Sequence, residues 1–159
     1  MLTIDTLILI LVANGSPIFI SYLFSHRASL PVDMAYKLAD QQYLFGATKT
    51  WRGLISALII TPVSALFLGY SFYFGLLIAV FAMAGDLFSS FIKRRLKKTS
   101  SARFLFLDQI PEALFPALIC YFVYGLGLIQ VIEIVLAFII IELTSSFVLF
   151  RYGIRKKPY

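Results

Sequence analysis

The sequence predicts an all-α, polytopic membrane protein with five transmembrane helices, on three observations. Apolar residues make up 60% of the 159-residue chain and aromatic residues 16%, and mean hydropathy is +0.90, far above what a soluble domain carries. Five apolar runs, near residues 2–24, 53–70, 72–92, 109–127 and 129–150, each meet the length of roughly 20 residues that a bilayer core about 30 Å thick requires. All 14 Lys and Arg residues fall in three stretches that the runs separate. No run alternates like a β-barrel strand, so backbone groups in lipid must be satisfied within helices.

The first run lacks a cationic leader and a small-residue cleavage site followed by a soluble domain, and it reads as a retained first helix rather than a signal peptide. It contains Asn14-Gly15-Ser16-Pro17. Pro17 removes a helical donor and Gly15 loosens the backbone, so a kink or break is expected there. Asn14 needs a polar partner at membrane depth and is a candidate binding residue.

The stretch between the first two runs ends in Phe45-Gly46-Ala47-Thr48-Lys49-Thr50-Trp51-Arg52-Gly53. Gly46 permits a tight turn, Lys49 and Arg52 offer phosphate ligands, and Thr48 and Thr50 offer hydroxyls. The spacing is not that of a Walker loop. Read alone, the segment also fits an interfacial helix start with Trp51 as membrane anchor. His26, the single histidine, rules out clustered-His metal sites and is expected at the interface.

The third run closes on Asp86. Positions 86, 90 and 93 share a helix face, because four residues turn through about 400° and seven through about 700°, so Asp86, Ser90 and Lys93 form one stripe. An intrahelical network would satisfy such a stripe, but an acid beside hydrocarbon is costly and more often marks function. The run Lys93-Arg94-Arg95-Leu96-Lys97-Lys98 is by itself a topology signal. Its position between Asp86 and Asp108 gives it weight: cations there bind phosphates while the carboxylates hold the divalent metal that phosphates need.

Asp108 opens the fourth run, and Cys120 lies within it as the only cysteine. Disulfides and thiolate-metal sites are thereby excluded, and Cys120 is expected in the core. In the fifth run Glu133 and Glu142 are nine residues apart on opposite helix faces, and both are placed outside the site. With five spans, the three basic stretches share one side. The positive-inside tendency makes that side cytoplasmic and the N-terminus external, in a multi-pass protein of the cell (inner) membrane. A single domain over residues 1–159 is expected, with cytoplasmic loops 25–52 and 93–107 holding the chemistry and no nucleic-acid partner.

Ala13-Asn14-Gly15-Ser16-Pro17, Lys49-Thr50-Trp51-Arg52-Gly53, Gly85-Asp86 with Ser90-Phe91-Ile92-Lys93-Arg94-Arg95, and Leu107-Asp108-Gln109 occur in that order. The ordered set, with Pro31-Val32-Asp33, resembles the CDP-archaeol synthase family, relatives of the CDP-diacylglycerol synthases, over nearly the whole chain. The resemblance implies transfer of CMP from CTP to a membrane lipid phosphate with release of pyrophosphate. The acceptor would be an archaeal-type diether glycerol phosphate or phosphatidate. The expected catalytic residues are Asp86, Asp108 and Lys93; the expected substrate-binding residues are Asn14, Lys49, Thr50, Arg52, Ser90, Arg94, Arg95 and Gln109. Mg2+ is the expected cofactor and a homodimer the implied assembly. The chain departs from the family where a second acid would follow three residues after Asp108: Pro111 stands there, with Glu112 next. Glu112 is one helical turn from Asp108 and is expected to complete the metal ligands Asp86, Asp108 and Glu112.

Two other classes compete. A transporter would place polar residues along several helices at mid-membrane, whereas these collect at one edge. A non-catalytic anionic-lipid-binding protein would use the basic loops but has no need of Asp86 and Asp108. The D-G-x-x-A-R pattern of CDP-alcohol phosphotransferases is missing, which favours nucleotidyl transfer over headgroup transfer.

Overall fold

The computed structural model describes residues 1–24, 29–98 and 106–151. Five helices follow in order: α1 (Leu2–Phe24), α2 (Trp51–Phe67), α3 (Phe72–Arg95), α4 (Gln109–Tyr124) and α5 (Leu128–Arg151). His26 lies outside the described residues, as do Arg27, Arg103 and the cations after Arg151.

α1 continues through Pro17 instead of breaking. Proline frees the carbonyl four residues back, and here Ser16 Oγ donates to that Ala13 carbonyl at 3.2 Å. Asn14 Nδ2 likewise donates to the Ile10 carbonyl at 3.1 Å. Local side chains therefore restore the hydrogen bonding that proline disturbs.

α2 begins at a Thr50 N-cap, whose hydroxyl accepts from Gly53 N at 3.2 Å. Ser71 caps α3 in the same way through Phe74 N. α4 ends where Gly125 takes a left-handed φ of 71°, a conformation that glycine adopts without Cβ strain. These caps fix lengths that differ from the expected five full spans. α1 and α3 have 23 and 24 residues, and the apolar part of α5, Leu128–Ser146, has 19. α2 and α4 have only 17 and 16 residues, about 25 Å of helix each.

Glycine and alanine let α3 pack closely between α2 and α4. A Cβ on Gly75 would lie 2.6 Å from Ala65 Cβ and from Pro62 Cα, so α2 and α3 approach to backbone distance. Leu9, Ile10, Phe74, Ile78, Ala117, Cys120, Ile134 and Phe138 form the buried core between α1, α3, α4 and α5. Outward, Phe19, Phe67, Phe122, Ile129 and Ile140 are more than half exposed. In water such a surface would be an aggregation hazard; in hydrocarbon it is the solvated face.

The segment before α2 is folded without regular strands. Pro31 bridges to Thr50 and Lys37 to Tyr43. Val32 N donates to the Lys49 carbonyl at 2.8 Å and Trp51 N to the Leu30 carbonyl at 3.0 Å. Buried Asp33 accepts from Ala35 N at 3.1 Å, Phe45 N at 2.9 Å and Gly46 N at 2.8 Å. At the opposite edge the α2–α3 turn is tied to α1, because Tyr70 donates to Asp5 Oδ2 at 2.7 Å.

Candidate active site

α3 is the axis of the site. Its last three turns carry Asp86, Ser90, Lys93 and Arg94, and the last three of these are buried despite lying at the basic edge. Among the described residues three ion pairs reach α3 from other segments, and two of them involve the site stripe. Lys49, from the folded loop, pairs with Asp86. Lys93 Nζ lies 2.7 Å from Oδ1 of Asp108 at the start of α4. Asp108 occupies the N-cap position of α4 yet makes no capping hydrogen bond; its carboxylate faces α3 instead.

Glu112, one turn into α4, interacts directly with the Asp86 carboxyl group and lies within electrostatic reach of Lys49. A three-centre cluster results, with one ammonium among two adjoining acids. Burial works against the Lys49 charge, but Asp86, Glu112 and Asp108 together outweigh it and hold its pKa above the ordinary 10.5. Lys49 is therefore a fixed cation at neutral pH.

The other expected site residues have local engagements. Thr50 caps α2. Arg52 donates through Nη2 to Ser21 Oγ at 3.0 Å, tying α2 to the end of α1. Asn14 bonds back to its own helix. Gln109 is buried, and its Oε1 accepts from Phe106 N at 2.9 Å, supporting a residue held at φ 69° just before Asp108. Ser90 Oγ is buried with no hydrogen-bond partner among the described residues. Arg94 faces Asp108 from α3. Arg95 turns to the loop and meets Asp40, Gln42 and Tyr43.

The structure thus brings together Lys49, Asp86, Lys93, Arg94, Asp108 and Glu112, with Ser90 on the same α3 face. Two further residues matter. Asp33 shapes the loop that presents Lys49, and Glu142 on α5, placed outside the site from sequence, lies within electrostatic reach of Glu112. Helical phase within α5 says nothing of which helix it faces, so only tertiary packing reveals that.

Among the described residues no three acidic, His or Cys side chains converge as a ready metal site. The expected trio divides: Asp86 and Glu112 adjoin, while Asp108 is paired with Lys93. Two adjoining carboxylates in a buried position require a proton or a cation between them. Hard divalent ions with phosphate-bound substrates take one or two carboxylates, so this donor set fits one. The apolar groove of about 280 Å3 along Tyr73, Leu76, Leu77, Val80 and Phe81 is not part of the site. Leu77 precedes Asp86 by nine residues, half a turn around α3.

The family described as CarS-like, CDP-archaeol synthase, matches residues 63–159, a span that holds Asp86, Asp108 and Glu112. A CDP-archaeol synthase of Sulfolobus acidocaldarius is 32% identical over 155 residues, covering 94% of this chain and 91% of the relative. The chain belongs to the CDP-archaeol synthase family. The CDP-archaeol synthase of Staphylothermus marinus is 29% identical over 94% of this chain and 87% of its own. A solved structure, described as an intramembrane enzyme for archaeal membrane lipids biosynthesis, superposes with a TM-score of 0.76 at 26% identity, over 90% of this chain and 91% of that one. Family membership makes the chain a multi-pass membrane enzyme, a CTP-dependent nucleotidyltransferase, of a class that depends on a divalent metal.

Proposed function

We propose that the enzyme transfers CMP from CTP to the phosphate of an archaeal-type diether glycerol phosphate and releases pyrophosphate. The observation that carries this reading is the contact of Asp86 with both Lys49 and Glu112, one helical turn from Ser90 and two from Lys93. Carboxylates and cations in one buried cluster at the edge of an apolar bundle suit a charged nucleotide arriving from water and a lipid arriving laterally. The archaeal names of the relatives favour the diether acceptor over phosphatidate.

A lipid phosphate oxygen is already anionic and needs no general base. It attacks the α-phosphorus of CTP, a new O–P bond forms, and the bond from that phosphorus to the oxygen bridging it to the β-phosphate breaks, so pyrophosphate leaves with its electron pair. Catalysis is therefore positioning and charge neutralisation. Lys49, Lys93 and Arg94 bind the triphosphate and the lipid phosphate and stabilise the departing charge. Thr50, Arg52, Ser90, Gln109 and Asn14 line the approach along α1, α2, α3 and the start of α4. Asp86 and Glu112 would hold Mg2+, while Asp108 holds Lys93 in place. That ion would neutralise phosphate charge and orient the pyrophosphate as it leaves. The basic edge faces the cytoplasm, where CTP is, and the N-terminus faces outward.

The test is label transfer in lipid micelles. CTP labelled at the α-phosphorus should pass label to a diether lipid phosphate, and CTP labelled at the γ-phosphorus should yield labelled pyrophosphate. Transfer to phosphatidate in preference to the diether acceptor would overturn the substrate assignment. No transfer to any lipid phosphate by the folded protein would overturn the reaction.

A further inference from the structure

Arg95, two residues beyond Lys93, is turned away from the carboxylate cluster. Its Nη1 donates to both oxygens of Asp40 at 2.7 Å. Its Nη2 donates to the Tyr43 carbonyl at 2.7 Å and, at 3.4 Å, to the Gln42 carbonyl. The guanidinium lies 5.1 Å from the Phe91 ring centre on its own helix. Asp40 is itself preorganised, since its Oδ1 accepts from Gln42 N at 3.1 Å. One side chain of α3 thus holds three positions at the tip of the loop, Asp40, Gln42 and Tyr43.

The tip connects to Lys49 through hydrogen bonds. Leu38 N donates to the Gln42 carbonyl at 3.0 Å and Leu44 N to the Tyr36 carbonyl at 3.1 Å, closing a short two-armed tip. Lys37 stands over the Tyr43 ring at 5.1 Å. At its base Asp33 gathers Phe45 N and Gly46 N. Lys49 N then donates to the Gly46 carbonyl at 3.2 Å, and Val32 N donates to the Lys49 carbonyl. Lys49 finally returns to Asp86 on α3. The loop is therefore fastened to one helix at two levels nine residues apart, about 13 Å along its axis.

We propose that the Asp40–Arg95 pair is a latch that positions Lys49: it fastens the loop to α3 and thereby sets the Lys49 ammonium at Asp86. Arg95 on this reading is a positioning residue that touches no substrate. The inference rests on the nucleotidyl-transfer reading for its kinetic arm alone. Both partners are partly exposed, the Asp40 side chain by 36% and the Arg95 side chain by 25%, so the latch is reversible and can open to admit CTP. An enzyme with the latch broken keeps its chemical groups but populates the competent loop less, and apparent CTP affinity falls by that fraction.

The experiment is a double-mutant cycle with Asp40→Ala, Arg95→Ala and the double variant, read by steady-state kinetics and by tryptic cleavage after exposed Lys37 in the full-length protein. Asp40→Asn, which keeps the side-chain shape, serves if Asp40→Ala does not fold. Arg95→Ala is expected to raise KM for CTP about fivefold with kcat little changed, to speed cleavage at Lys37 and to match the double variant. Asp40→Ala, which leaves the Arg95 bonds to the Gln42 and Tyr43 carbonyls, is expected to move both readouts the same way by less. Arg95→Ala impaired beside an Asp40→Ala enzyme that behaves as wild type in both readouts would overturn the latch and make Arg95 a direct phosphate ligand. Additive effects in the double variant would overturn it as well. Cleavage needs no substrate, so the latch is judged even if wild-type enzyme transfers no CMP.

Discussion

Gly85 on α3 and Pro111 on α4 meet backbone to backbone: a Cβ added at Gly85 would fall 2.1 Å from the Pro111 carbonyl oxygen and 2.8 Å from Glu112 N. The neighbours on either side of that contact are Asp86 and Glu112, so this close approach of the two helices is also what brings the two acids together. Pro111 suits the place. It is the third residue of α4, where the N–H has no intrahelical partner to lose. Glu112, the residue after Pro111, reaches Asp86.

Gly85→Ala cannot be absorbed, because the atoms it would strike are backbone. It should destabilise the protein by about 2–3 kcal/mol and abolish activity by separating Asp86 from Glu112. Thermal unfolding in detergent reads the first effect. Gly15→Ala, with nothing within 4 Å of the added methyl, is the control and should leave stability unchanged or slightly raised.

Glu112→Gln retains the shape of the side chain and removes a carboxyl group from the cluster with Asp86 and Lys49. The Mg2+ concentration for half-maximal activity should rise about tenfold, the lower range seen when even a partner of a metal ligand is lost. A metal titration measures it, and unchanged metal dependence would remove Glu112 from the site.

How much of this was legible in the sequence divides along physical lines. Asp86, Ser90 and Lys93 share a face because a helix has a fixed period, and that is readable from spacing alone. The five helices were readable from hydropathy, but α2 stops at Phe67 and α4 at Tyr124, before Gly125, short of the ends of their apolar runs. The pairing of Lys93 with Asp108 and of Glu112 with Asp86 depends on the register of α3 against α4. Gly85 and Pro111 set that register, and no single-helix pattern encodes it. Asp33, Asp40 and Glu142 act through tertiary contacts between residues far apart in sequence, so their partners had no local signal.

Lys49→Met would leave Asp86 and Glu112 adjoining without their cation. Breaking a largely buried pair from one side costs about 3 kcal/mol, so the variant should unfold at lower temperature and lose catalytic turnover. Lys49→Arg, which keeps the charge on a bulkier head, should recover stability more fully than activity.

Two groups outside the helices set opposite pH limits. The Lys49 pKa is raised above 10.5 in the folded protein, so its stabilisation is fully present below that value and lost as pH rises through the folded pKa. Burial works to raise the Asp33 pKa, but hydrogen bonds from Gly46, Phe45 and Ala35 prevail and lower it below 3.8. Its contribution is present above 3.8 and lost as pH falls through the folded value. Melting curves should therefore show no change attributable to either group between about pH 5 and 9. In Asp33→Asn the acid-side loss of stability should shrink.

The central claim is that the cluster around Asp86 performs CMP transfer, and the most direct measurement is kcat/KM for labelled CTP with a diether lipid phosphate in wild type and in Asp86→Asn. The wild type should give lipid label and pyrophosphate in equal amounts, and the folded variant should lose about a thousandfold or more. An Asp86→Asn enzyme that transfers label at a rate near that of the wild type would contradict it.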